Sequence, residues 1–147
     1  MGLKASTGLR NAVLSDNPLR TVMAGGRINI YAGTEPATAD DAVGGATLLC
    51  VISNNSTGTG INFDTAAVAG ILSKAPAEVW SGINAATGTA TWYRHVAVGD
   101  TGASSTTQPR IQGSINAAGG DMVLSNPALT SGATQTLDYY SVAWPTL

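Results

Sequence analysis

A mostly β fold, an antiparallel, jelly-roll-like β-sandwich with a short N-terminal helical arm, is predicted by three features of the sequence. Apolar pieces of strand length recur roughly every 8–15 residues from Arg27 onward. Clusters of Gly, Asn, Ser and Pro separate them and leave no room for crossover helices, which favours antiparallel pairing. Helical periodicity is confined to the first 26 residues. The chain divides accordingly into an arm, 1–26, and a sandwich domain, 27–147, and this division predicts that the domain folds without the arm. A length of 147 residues suits one domain with one core.

In the arm, Ser6 or Thr7 is placed to cap a helix through Leu9-Arg10-Asn11-Ala12-Val13-Leu14, its hydroxyl accepting from free backbone amides. Pro18 disfavours helical angles at Asn17 and ends this helix. A second short helix, Leu19 to Ala24, is expected with Asn17 as cap and Gly25-Gly26 as terminator. Leu9, Val13 and Leu14 share one side of the first helix, and Leu19, Val22 and Met23 share one side of the second. Four of the seven basic residues, Lys4, Arg10, Arg20 and Arg27, lie in or next to this segment against one acid, Asp16. Such a basic amphipathic arm serves either as a lid over its own domain or as a reach onto a neighbouring subunit. Met1-Gly2 followed by Ser6 also fits the loose N-myristoylation pattern, which here reads more simply as the approach to the helix cap.

From Arg27 the period changes to two. Arg27-Ile28-Asn29-Ile30-Tyr31 alternates and is broken by Gly33 and Pro36; Ala37 to Ala42 has the composition of one helical turn. Ala46 to Ser53 is apolar on both faces and reads as a central strand. Further strand-like pieces are Ile61–Asp64, Ala67–Lys74, Val79–Ile83, Thr89–Val98, Arg110–Ile115, Met122–Ser125 and Thr134–Trp144. Val79–Ile83 and Thr89–Val98, joined by Asn84-Ala85-Ala86-Thr87-Gly88, are expected to pair as a central hairpin. Its second arm puts Ala90, Trp92, Val96 and Val98 on the buried face and Tyr93 and His95 on the polar one, with Arg94 a misfit among the apolar residues.

Composition excludes several classes of function. Charged residues are 11% of the chain, under half of the roughly 25% usual in soluble proteins, and the net charge is −2. A surface so weakly repulsive favours association and offers no basic field for nucleic acid. No apolar run is long enough to span a bilayer, and a secretory leader is not expected. Cys50, the one cysteine, lies in the apolar run Leu48-Leu49-Cys50-Val51-Ile52 and is expected to be a buried hydrophobe.

The residues that carry chemistry elsewhere are poorly assembled here. Asp100-Thr101-Gly102 copies the aspartic-protease triplet, yet Gly99 stands where an apolar strand should precede it, so an Asx turn is the simpler reading. His95 is the only histidine, no Gly-x-Ser-x-Gly elbow exists, and His95 is expected at a surface or interface. One Cys and one His cannot furnish a zinc site, Asp40-Asp41 lacks an organised calcium loop, and no phosphate-binding glycine motif occurs. Catalytic residues, metal ligands and cofactors are therefore not expected. Tyr139, Tyr140 and Trp144 are the aromatic residues best placed to stack on a sugar.

Several phrases in order along the chain resemble a family of small virion structural proteins of tailed bacteriophages. They are Gly8-Leu9-Arg10-Asn11-Ala12, Ile28-Asn29-Ile30-Tyr31-Ala32-Gly33 with Pro36 and Ala39-Asp40 after it, Trp80-Ser81-Gly82, Ala86-Thr87-Gly88-Thr89-Ala90 leading to Trp92-Tyr93-Arg94, Pro109-Arg110-Ile111-Gln112-Gly113-Ser114, and Ala133-Thr134-Gln135-Thr136-Leu137-Asp138. The resemblance implies a head decoration, or cement, protein on the capsid exterior, assembled in the host bacterial cytoplasm. Its partners would be the major capsid protein and copies of itself, as a dimer or trimer, with no nucleic acid and no membrane. The arm residues expected at that interface are Leu9, Arg10, Leu14, Leu19, Arg20 and Met23. The competing expectations are a tail or neck structural protein and a surface module that binds carbohydrate or the host.

Overall fold

The computed structural model describes residues 2–144. Met1, which opens the acylation-like pattern, and residues 145–147, at the end of the sandwich range, lie outside the described residues. A two-residue strand, β1 (Lys4–Ala5), precedes helices α1 (Thr7–Ser15) and α2 (Leu19–Val22). Strands β2 (Arg27–Ala32), β3 (Thr47–Asn54), β4 (Ile71–Ser73), β5 (Trp80–Ile83), β6 (Gly88–Thr89) and β7 (Trp92–Val96) follow. The chain then adds β8 (Arg110–Asn116), β9 (Met122–Val123), β10 (Ala128–Leu129), β11 (Thr134–Leu137) and β12 (Ser141–Ala143).

The protein is mostly β, as the strand rhythm predicts, and is built on one large sheet. Its eight strands run β1-β8-β7-β2-β3-β5-β11, with β9 parallel to the end of β8 and the other pairings antiparallel. Two small sheets, β6 with β10 and β4 with β12, complete the β structure. Ile28, Ile30, Cys50, Ile52, Trp80, Tyr93 and Ile111 from the large sheet share one core with Leu72 of β4 and Leu129 of β10, so the second layer of the sandwich is made of short pieces. Cys50 is buried there as expected, and burial pushes its thiol up to about 11.

The helices close one end of this core. Ser6 caps α1, and its buried hydroxyl accepts from the Leu9 and Arg110 amides at 3.1 and 2.9 Å while donating to the Gln108 carbonyl at 2.7 Å. Asp40 accepts from the Thr7 amide and hydroxyl at 2.8 and 2.6 Å, which puts a carboxylate at the positive end of the helix. Leu9 and Met23 are buried in the same core as the sheet, 4% and 1% exposed, so the helical segment is a lid on its own domain. Pro18, and not Asn17, occupies the cap position of α2, and no side chain bonds its first turn. Gly25, at φ +71°, follows the helix in the left-handed conformation expected of a terminator. Thr38 to Asp41 forms a turn tied by the Asp41 carboxylate, in place of the expected helical turn.

The expected central hairpin does not form. β5 pairs with β3 and β11, whereas β7 pairs with β2 and β8, which leaves the two Trp-bearing strands apart with β2 and β3 between them. The small residues from Asn84 to Gly88 bridge that gap instead of turning back. β7 is also buried on both faces. Tyr31 stacks on Trp92 at 4.3 Å, and two arginines on the same face fasten the loops of residues 33–46 and 97–109 over it. Arg94 donates to Gln112 Oε1 from Nε and Nη2 at 3.0 and 2.5 Å, and to the Asp41 carbonyl at 3.0 Å. Arg110 donates to Asp100 at 2.5 and 3.1 Å and to the Ala39 and Ala103 carbonyls at 3.1 and 2.6 Å.

Candidate docking groove

α1 and α2 flank the Asn17-Pro18 break, and apolar residues of both line one side of an open groove. Leu9, Val13, Leu14 and Leu19 line it, and Ile111 of β8 is also part of its surface. The facing wall is the β4–β12 sheet, which contributes Leu72, Val142 and, just beyond β12, Trp144. Ala69 and Gly70, at φ +53° and +76°, are the two central residues of the tight turn that leads into β4, with Val68 and Ile71 exchanging hydrogen bonds at 2.9 and 3.0 Å. The groove encloses ≈ 760 Å³ and is almost wholly apolar.

Two large side chains of its lining have little to cover them: Leu14 is 83% and Trp144 72% exposed. Arg10 and Arg20 are exposed at the same rim. They donate to Thr7 Oγ1 and the Thr65 carbonyl, and neither forms an ion pair among the described residues. Exposed apolar area of this kind gains free energy only when something else covers it, at about 25 cal/mol per Å².

The structure brings five of the six arm residues singled out from sequence, Leu9, Arg10, Leu14, Leu19 and Arg20, to this groove. Met23 is the exception, because its side chain turns into the core. Leu9 is mostly spent there too. Leu72, Val142 and Trp144 were not singled out as partners of the arm. Alternation at the end of the chain hints at the β12 strand, but nothing local says that it pairs with β4, about 70 residues upstream by their registered positions (142 − 72 = 70).

A second concavity of ≈ 430 Å³ shares Leu3 and Val142 with the groove and is lined by Tyr93, Asp121, Tyr139 and Tyr140. Tyr139 is 94% exposed, as a stacking residue would be. Tyr140 is drawn inward against Trp80 and His95, with ring centroids 5.4 and 5.5 Å apart.

His95 is not at the surface. It is 1% exposed, ringed by Phe63, Trp80 and Tyr140, and its Nδ1 lies 3.3 Å from the Tyr140 hydroxyl. Nε2 has no partner among the described residues, and burial holds the imidazole pKa down at about 3, so the ring is neutral. The surface expectation failed because Tyr93 and His95 alternate onto the main core while the opposite face is covered by loops. The Asp100 turn forms as predicted, with Oδ1 accepting from the Gly102 amide at 2.7 Å, and both carboxylate oxygens also receive Arg110. Among the described residues no three His, Cys, Asp or Glu side chains are grouped to hold a metal ion. No described helix is long and apolar enough to cross a membrane.

Comparison with protein-family models, curated proteins and solved structures found no match. The groove is thus the strongest pointer to what the chain does.

Proposed function

We propose that this chain is a structural component of a tailed-phage particle, a decoration or cement protein that binds the shell of major capsid protein from outside. The observation that carries the reading is the open apolar groove between the helical lid and the β4–β12 sheet, rimmed by Leu14 and Trp144. A cement protein works by adhesive area: a lasting contact buries about 1,000 Å² or more, and apolar anchors at its centre dominate the energy. It also has to keep its shape under load. Loops stitched down by buried arginines, and a lid held by Ser6 and Asp40, suit that demand. The resemblance of the ordered sequence phrases to small virion proteins supports the shell as the partner.

The test is co-sedimentation with shells prepared without this protein. The wild-type chain should pellet with shells at high copy number, and Leu14→Glu should bind at least about tenfold more weakly, the effect of losing one buried anchor. Failure of the wild type to bind shells would overturn the reading, and a few copies per particle would move it to tail or neck. The exposed Tyr139 beside Asp121 favours a second reading, a module that binds host carbohydrate. Glycan binding abolished by Tyr139→Ala, without any binding to shells, would select it.

A further inference from the structure

We infer that Lys4 and Gln112 become joined by an isopeptide bond, which the chain forms within itself with Glu35 as the base and ammonia as the leaving group. The inference does not depend on what the groove binds.

Lys4 and Gln112 are direct cross-strand partners in the β1–β8 pair, a register that places their side chains on the same face of the sheet. Their terminal nitrogens converge on the same two acceptors. Lys4 Nζ donates to Glu35 Oε1 at 2.7 Å and to the Pro36 carbonyl at 3.2 Å. Gln112 Nε2 donates to the same two atoms at 3.2 and 2.9 Å. Which way the Gln112 amide points is fixed by its partners. Arg94 can only donate, and it does so to Oε1 from Nε and Nη2 at 3.0 and 2.5 Å, whereas the carboxylate and the carbonyl beside Nε2 can only accept.

An amine, an amide for it to attack, a carboxylate touching both nitrogens and a cation on the amide oxygen are the parts that aminolysis of an amide requires. Gln112 is 0% exposed and the side chains of Lys4 and Glu35 are 20% and 12% exposed, so the amine outcompetes water at the amide carbon. Glu35 takes a proton from Nζ, and the freed lone pair forms a bond to Cδ of Gln112. The carbonyl electron pair moves onto Oε1, where the Arg94 guanidinium holds the negative charge. A second proton leaves Nζ by the same carboxylate, and both are delivered to Nε2. The Cδ–Nε2 bond then breaks, the carbonyl re-forms, and the nitrogen departs as ammonium. Glu35 ends as it began, and no oxidant or cofactor is consumed.

The bond fastens the shortest and outermost part of the large sheet. β1 is two residues long and pairs only with β8, yet it leads directly into the helical lid. Tying residue 4 to residue 112 closes most of the chain into one loop and restrains the unfolded state, as a disulfide across the same positions would.

The experiment is the intact mass of the folded full chain, incubated at neutral pH until the spectrum stops changing. The wild type should be lighter than its sequence by one ammonia. Trypsin should then leave the segment ending at Arg10 attached through Lys4 to the segment beginning at Ile111. Lys4→Arg keeps the positive charge without the reactive amine, and Glu35→Gln keeps a hydrogen-bonding side chain without the base. Both should show the full sequence mass while still melting cooperatively, at a lower temperature than the wild type. A wild type of full mass would overturn the inference and leave an ion pair with its hydrogen bonds. The same loss of ammonia in Lys4→Arg would place the reaction elsewhere, and a Lys4–Gln112 link in Glu35→Gln would remove Glu35 as the base; either result overturns it as well.

Discussion

His95 is a neutral imidazole enclosed by aromatic rings, and that makes it a source of acid sensitivity. Its pKa in the folded chain, about 3, lies below the ordinary 6.5, so the unfolded chain binds the extra proton between those values. Stability from this group is complete above pH 6.5 and falls as pH drops toward 3. Because it is the only histidine, the window from pH 6.5 down to the carboxylate range is its own. Urea midpoints measured across that window should decline on acidification, and His95→Phe should flatten the decline. An unchanged slope in the variant would show that another group titrates there. Asp100 makes the opposite case, a charge that must stay. It and Arg110 are 1% and 0% exposed in their side chains, and removing one partner strands the other in a dry site. Asp100→Asn should cost about 3–5 kcal/mol in chemical denaturation, and a loss below about 1 kcal/mol would mean that water reaches Arg110. Arg94 nearby has its pKa lowered by burial first and by the Arg110 charge second, which adds to the need for Asp100.

At the scale of elements, the turn into β4 is the place where sequence and conformation disagree. Ala69 adopts φ +53°, followed by Gly70 at +76°, a pairing for which Asn-Gly is the favoured sequence. Ala69→Asn should stabilise the protein by about 0.5–1 kcal/mol in chemical denaturation, because Asn, although it keeps a β-carbon, offsets the cost of positive φ by hydrogen bonding of its short amide to nearby backbone. A destabilised variant would indicate that the Ala69 methyl is packed. The same element-scale logic explains which strands were legible. β2 and β3 announce themselves by alternation and by an unbroken apolar run, and α1 by its cap and its apolar stripe. The pairing of β5 and β7 was not legible, because a five-residue Gly- and Ala-rich segment between two strands is as compatible with a crossing to another position in the sheet as with a tight hairpin. In the nearest registers their true partners are 26 residues away for β5 (80 − 54 = 26) and 14 for β7 (110 − 96 = 14), beyond the reach of a tight-turn signal.

For the whole molecule, the helical segment is both lid and groove wall, so its two roles have to be tested by different changes. Truncation of residues 1–26 removes Leu9 and Met23 from the core and β1 from the sheet edge. Two large buried side chains contribute about 2–5 kcal/mol each, comparable to a typical domain's total stability. The truncated chain should therefore melt far below the full chain or fail to fold; a cooperative transition within a few degrees of wild type would show that the sandwich is self-sufficient. Substitution at the exposed Leu14 separates docking from folding, which truncation cannot do.

Sequence by itself determined the mostly β class, the first helix with its Ser6 cap and the buried cysteine. Each of these depends on short-range periodicity, on a side-chain hydroxyl three residues from an amide, or on a stretch of apolar residues, all of which are written locally. Tertiary structure alone decided the strand order, the burial of His95 and of both faces of β7, and the far wall of the groove. Those depend on which distant segments cover a surface: the loops fastened by Arg94 and Arg110, and the β12 strand brought back to β4. A residue's own pattern records that it has two faces, but what lies against each face is settled by chain that arrives from elsewhere.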